Sequence, residues 1–180
     1  MRTLLLVAAM GLSACTSMPV GNPNVPEPAK AVDFDRYQGR WYEFARYENR
    51  FERGCAGVTA EYARRPDGLI SVVNTCRKGA PDGPAEVARG RAKPAGDAKG
   101  AKLKVSFFGP FFGDYWVLDR AEDYSWSIVG EGSGRYLWVL TREAAPSPEA
   151  RAALIARVSG LGYDTKLLHM TAQPPEGAAP

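Results

Sequence analysis

The sequence predicts an all-β fold, an eight-stranded antiparallel up-and-down barrel followed by one C-terminal α-helix. Three observations carry this. Eight short segments rich in aromatic and β-branched residues follow one another at hairpin spacing. Turn signals punctuate them, and one late amphipathic stretch has helix start and stop residues. The same strands could form a sandwich, but a closed barrel removes the exposed edges that an isolated sheet would present.

The strands are expected over residues 39–47, 56–64, 69–77, 85–92, 102–107, 115–118, 126–131 and 136–142. Pro66-Asp67-Gly68 separates the second from the third, and Gly132-Ser133-Gly134 separates the last two. Proline presets φ and glycine tolerates positive φ, so both connections read as tight hairpins. The helix starts at Ser147, which can cap it. Pro148 suits its first position, and Glu149 complements the positive end of the dipole. Ala153, Leu154, Val158 and Leu161 form its apolar side, Gly160 or Gly162 ends it, and residues 166–171 are expected to add a short strand. The helix is expected on the outside of the barrel.

The first fourteen residues stand apart from this pattern. Arg2 precedes an uncharged, mostly aliphatic run over residues 4–11, too short to cross a bilayer core of about 30 Å. Leu12-Ser13-Ala14-Cys15 follows, so residues 1–14 read as a signal segment outside the fold. The pattern resembles the lipobox of bacterial lipoproteins. That resemblance implies cleavage before Cys15 and acylation of both its thiol and its new amino group. With Thr rather than Asp at position 16, it also implies sorting to the outer membrane. Each buried CH₂ contributes about 0.8 kcal/mol, so two or three acyl chains make a lasting anchor.

The chain has 180 residues and a formal net charge of +3, from 23 Lys and Arg against 20 Asp and Glu. The signs are interspersed and no basic run occurs, which argues against a nucleic-acid partner. What remains after the signal, about 165 residues, suffices for one domain. Residues 15–32 carry four prolines among small and polar residues and read as a lipidated, extended tether. Residues 33–172 form the domain, and residues 173–180 read as a disordered tail. With Cys15 committed to lipid, Cys55 and Cys76 remain as an even pair, which in an exported chain points to a disulfide. Closing a loop of about 20 residues contributes about 3 kcal/mol in the chain-entropy view. Two cysteines and one histidine, His169, cannot complete a zinc site without further ligands, so neither metal nor cofactor is expected.

Gly39-Arg40-Trp41 matches the G-x-W signature that opens lipocalin domains. Asp123-Tyr124 sits where the second motif, T-D-Y, is expected, with Glu122 in place of Thr. Leu137 to Arg142 matches the third motif, whose hallmark is the arginine. Three motifs in order, with eight strands, a late helix and a lipobox, resemble the bacterial lipoprotein lipocalins, outer-membrane proteins related to apolipoprotein D. In that topology Trp41 and Arg142 meet at the closed end, where the guanidinium can lie on the indole face and its donors can reach backbone carbonyls. Gly39 leaves room for that crossing. The three are expected to plug the base rather than bind ligand.

Alternation then points Tyr136, Trp138 and Leu140 inward from Arg142, and Glu43 and Ala45 inward from Trp41 unless a bulge intervenes. Tyr62, Asn74 and Trp138 occupy positions that line the pocket in the apolipoprotein D pattern. By that resemblance Val58, Ala60, Ile70 and Val72 join them. The expected ligand set is Glu43, Tyr62, Asn74, Trp138 and Leu140, a mostly apolar pocket with a few polar groups. Between strands five and six, Phe107, Phe108, Phe111 and Phe112 crowd a Gly109-Pro110 turn at the open end. They cannot all be buried there. Phe108, Phe111 and Phe112 either close the mouth or touch a membrane or partner. The resemblance implies a non-enzymatic carrier of fatty acids or lysophospholipids, serving membrane maintenance under stress. Two rivals stand beside it: a scaffold that binds no small ligand, and a lipid-modifying enzyme. The enzyme lacks support, because there is no G-x-S-x-G motif and His169 lies near the tail. Oligomeric state is not legible.

Overall fold

The first strand has to satisfy three neighbours, and this shapes the whole sheet. In the computed structural model, which describes residues 18–174, the strands are β1 (Gly39–Tyr47), β2 (Cys55–Arg64), β3 (Ile70–Lys78), β4 (Ala85–Pro94), β5 (Lys102–Ser106), β6 (Gly113–Arg120), β7 (Trp126–Gly130) and β8 (Leu137–Thr141). Each pairs antiparallel with the next, and β8 pairs back onto β1, with Glu43 opposite Leu140. The barrel is therefore closed. One short helix was not legible beforehand: α1 (Phe34–Tyr37) lies before β1, capped by Asp33, whose side chain accepts from the Asp35 amide. Four residues are too few to show a helical period.

The lower half of β1 pairs with β2, from Gly39 opposite Tyr62 to Tyr42 opposite Thr59. A bulge at Phe44 then shifts the register against β8, so that Ala45 faces Val139 and Arg46 faces Trp138. The extra residue reverses the alternation. Ala45, expected inward, instead packs in the outer cluster with Phe44, Leu118, Ile128, Leu137 and Val139, and Arg46 takes the inward place. Beyond the bulge β1 parts from β2, and β9 (Leu168–Met170) fills the opening by pairing with Ala45, Arg46 and Tyr47. Gln173 Nε2 donates to the carbonyls of Glu43 and Val58, both at 2.8 Å, stapling β1 to β2. The expected disordered tail is thus wrong at its first residue, because these carbonyls in a parted seam need donors. Residues 175–180 lie outside the described residues.

Helix α2 (Pro148–Gly160) packs on the outer wall through Leu154 and Val158, both buried. Each contributes about 1.5–3 kcal/mol of apolar burial. Ser147 accepts from the Ala150 amide and Pro148 opens the helix, as the residues predict. Asp119 fixes the helix further by pairing with Arg157 of α2 and, at 3.3 Å, with Lys30. Burial works against this carboxylate, yet the hydrogen bond and charge of Arg157, with Lys30, outweigh it and hold it below the usual range.

The expected tether also needs correction. From residue 18 onward it has no regular secondary structure, but it is a strap laid down the barrel wall. The amides of Gly21 and Asn22 donate to the Gly134 carbonyl, and Arg135 holds the Met18 carbonyl. Further down, Lys99 Nζ reaches the Pro28 carbonyl, Arg120 grips the Ala31 carbonyl, and the Val32 amide donates to Lys99. A Cβ on Gly134, which has φ +67, would meet the Asn22 carbonyl oxygen at 1.8 Å, so this crossing requires glycine. Proline-rich composition does not prevent docking when backbone groups make the contacts. Cys15 and the signal segment lie outside the described residues.

At the base, the Arg142 guanidinium lies 3.8 Å from the Trp41 ring centre. It donates to the carbonyls of Arg36, Tyr37 and Gln38 at the end of α1 and to that of Arg40. Gly39, at φ +90, places its missing Cβ toward Arg142 Nη1. At the opposite end Cys55 and Cys76 form the disulfide. Arg142→Ala removes one cation–π contact and strands several carbonyls, so it should cost about 2–4 kcal/mol in denaturant unfolding. An unchanged unfolding midpoint would remove Arg142 from its place as the base lock.

Candidate functional site in the barrel lumen

The lumen has a floor, a wall and a rim. Its floor is aromatic. Tyr37, Trp41, Tyr62, Tyr115 and Tyr124 converge above α1. The hydroxyl of Tyr115 lies 2.9 Å from that of Tyr62 and 3.0 Å from that of Tyr37, which also meets Ser127 Oγ. Burial pushes the Tyr37 phenol up to about 12 and those of Tyr62 and Tyr115 well above their ordinary range, so the network stays neutral. Tyr62 is where the residues predict, facing inward. Its hydroxyl, however, is already bonded within the floor rather than free for a ligand head group.

The wall is apolar. Ala60, Ile70, Val72, Ala92, Leu103, Val117, Val129 and Leu140 belong to the interior cluster, with Trp138 packed against it. By alternation from Ala92, Gly90 and Ala88 also face inward, and Ala88 is nonetheless exposed. Above Arg91, β4 pairs with β3 alone, and residues 85–89 are exposed on both faces. Asn74 sits between Ala60 and Ala88, and its Oδ1 is buried with no partner. Of the expected ligand set, Asn74 and Glu43 each keep a buried oxygen with no internal partner, Asn74 on an otherwise apolar wall.

Glu43 and Trp138 belong to a polar knot near the rim. Arg46 donates to Glu43 Oε1 at 2.8 Å and to Glu48 at 3.0 Å, while Thr171 from the seam also donates to Glu43. Glu43 Oε2 and Arg46 Nε are buried without partners. Glu52, on the loop after β1, accepts from the Trp138 indole at 2.9 Å. On the same loop Phe51 stacks on Tyr136, which stacks on Trp138. The loop thus leans over one side of the mouth, and the Trp138 ring lies beneath it. Arg46, Glu52 and Thr171 were missed as site residues because the bulge that turns Arg46 inward has no sequence signature. Tyr115 could have been found, since it shares a face with Val117.

At the rim the phenylalanines divide. The Phe107 ring packs inside, where a Cβ on Gly90 would touch it. Phe112 lies under Arg91 and Lys93, and Phe108 and Phe111 are each 77% exposed.

Burial and the nearby Glu52 carboxylate raise Glu43 to about 8, against the pull of Arg46. In the unfolded chain it ionises near 4.5. A raised carboxyl favours folding below its unfolded value, and that contribution is lost as pH rises from about 4.5 to about 8. Glu43→Gln should flatten this part of the stability profile measured by urea unfolding at several pH values. A slope in the variant equal to wild type would rule out Glu43 as its source.

The Lipocalin-like domain family matches residues 32–173. The chain is 38% identical to the outer membrane lipoprotein Blc of Escherichia coli (strain K12), over 97% of this chain and 99% of that protein. It is 38% identical to temperature-induced lipocalin-1 of Arabidopsis thaliana, over 83% of this chain and 86% of that one. Apolipoprotein D of Rattus norvegicus matches at 32% identity over 81% of each chain. Among solved structures, insecticyanin from the tobacco hornworm Manduca sexta superposes with a TM-score of 0.67 at 23% identity, covering 87% of this chain and 88% of that chain. Barrel, base lock, late helix and these matches agree, and the chain belongs to the lipocalin family.

Proposed function

We propose that this protein is a lipid-anchored envelope lipocalin that holds single-chain lipids, fatty acids or lysophospholipids, in its lumen and serves membrane maintenance. The observation that carries the reading is the apolar lumen wall between a neutral floor and the mouth. It has small inward residues, a neutral tyrosine floor and an unpartnered Asn74 Oδ1. In this reading an acyl chain enters beside Asn74 and Trp138 and parts the wall of Ala60, Val72, Ala92 and Leu140, which is closely packed without it. Removing the acyl chain's apolar surface from water drives partition. The Asn74 amide can turn toward the head group, and the Trp138 ring beside the mouth meets the chain as it enters. The protein acts by binding rather than catalysis. Its lone histidine, His169, is half-exposed on β9 and pairs with Glu48.

The address rests on Leu12 to Cys15 and on the name of the 38%-identical relative, outer membrane lipoprotein Blc. In this reading residues 1–14 are removed and Cys15 carries acyl chains in the outer membrane.

Delipidated protein should take up a fluorescent fatty acid or quench its own tryptophan emission saturably, near one lipid per chain. Trp138→Phe should remove most of the intrinsic signal while uptake persists. Asn74→Leu should weaken uptake without lowering the unfolding midpoint. No uptake of any single-chain lipid would favour a scaffold that binds no small ligand. Separately, Cys15→Ser should move the protein from the membrane fraction to the soluble fraction. Retention of that variant through high salt and carbonate would overturn the anchor.

A further inference from the structure

We infer that the rim of the barrel mouth is the membrane-facing surface, docking on an anionic phospholipid bilayer through the loop after β5, so that the lumen opens onto the lipid. The inference rests on the anchored reading of Cys15 and adds an orientation to it. Three independent features converge on one end of the molecule.

The first is the direction of the strap. It begins beside Gly134 and Arg135, on the loop between β7 and β8, and ends at Lys99, on the loop between β4 and β5. In an up-and-down barrel those loops lie at opposite ends, the first at the mouth and the second at the base. Cys15 is three residues before Met18, and three residues span at most about 11 Å. Strands of this length and tilt make a barrel roughly 25 Å tall. An acylated Cys15 therefore reaches the mouth and cannot reach the base.

The second feature is the hairpin loop itself. Phe108 and Phe111 stand in water on the same rim, each 77% exposed. Nothing in the fold needs them there. Phe107 has already filled the place over Gly90 inside the barrel. Two adjacent exposed phenylalanines on a loop suit insertion among acyl chains.

The third feature is charge. Arg89 and Arg91 stand on the outer face of β4 beside this loop, Lys93 follows on the same face toward the base, and among the described residues none of the three has an acidic partner. Arg91 and Lys93 lie over the Phe112 ring at 5.7 and 4.7 Å. Cations seated directly behind an inserted aromatic loop fall at the depth of lipid phosphates. They select an anionic surface over a neutral one.

The test uses cysteine-reactive environment-sensitive fluorophores, with the Cys55–Cys76 disulfide intact. Phe111→Cys carries the label at the rim and Pro66→Cys carries it at the base. The acylated chains are reconstituted on phosphatidylethanolamine vesicles containing phosphatidylglycerol. The rim label should shift to the blue and be quenched by bromine on the acyl chains, while the base label stays in water. In parallel, the unanchored Cys15→Ser chain should bind these vesicles weakly, and adding Phe108→Ser with Phe111→Ser should reduce that binding at least about tenfold. Arg91→Gln should narrow its preference for phosphatidylglycerol over phosphatidylcholine. Acylated protein that stays on the vesicles with its rim label in water, or with its base label buried, overturns the docking proposal and leaves the anchor standing. Phenylalanine-dependent binding in a chain whose Cys15 proves unacylated does the reverse.

Discussion

The bulge at Phe44 is the constraint on which the rest of the barrel depends. Below it β1 is an ordinary strand between β8 and β2, with Trp41 inward over the base. Above it the alternation is reversed, so a small residue, Ala45, faces outward where α2 must approach. The same reversal carries Arg46 inward and detaches β1 from β2. That detachment creates the need for β9 and Gln173, which restore hydrogen bonds to a seam otherwise left with unpaired carbonyls. One inserted residue therefore governs helix packing, the polar knot and the docking of the C-terminal segment.

Burying Glu43 and Arg46 together is not an obvious source of stability. A buried ion pair repays its desolvation only when its remaining groups are satisfied. Here Thr171, Glu48 and the Glu52 carbonyl meet most of the donors and acceptors, yet Glu43 Oε2 and Arg46 Nε stay unpaired. The benefit is positional. The knot joins β1, the segment after β9 and the loop over the mouth, and Glu52 extends it to Trp138. The lip of the lumen is thereby held by Arg46 and Glu48 around a carboxyl that burial raises, whereas the floor is held by neutral hydroxyls.

Much of the barrel was legible because hairpin barrels are local. Each strand pairs with its sequence neighbour, so turn residues and alternation report most of the topology, and the Trp41–Arg142 lock follows from the motifs. What failed did so for physical reasons. Ala45 was misplaced because a bulge leaves no mark in composition. The extended tether expected over residues 15–32 rests on a proline-rich polar chain having little to bury, and the part from residue 18 does not stay free. It docks through main-chain carbonyls and amides, which every sequence possesses. Gln173 is the same case at the other end. Tyr62 was placed on the correct face, but its engagement by Tyr115 depends on a cross-barrel distance that strand periodicity does not encode.

The strap of residues 18–32 also gives the barrel a polarity. A symmetrical calyx on a flexible tether would sample every orientation above a bilayer, and its mouth would meet lipid only intermittently. Laying residues 18–32 along the wall instead removes most of that freedom and brings the chain's N-terminal side to the open end. The loss of conformational entropy in the strap is offset within the fold by contacts such as Lys30 with Asp119 and Arg120 with Ala31. In the proposed docking, an acyl chain leaving a bilayer would pass from one apolar medium into another with little exposure to water. The base lock, the polar lip and the strap are then parts of one arrangement: a lumen closed at its base, with Met18 held at its mouth.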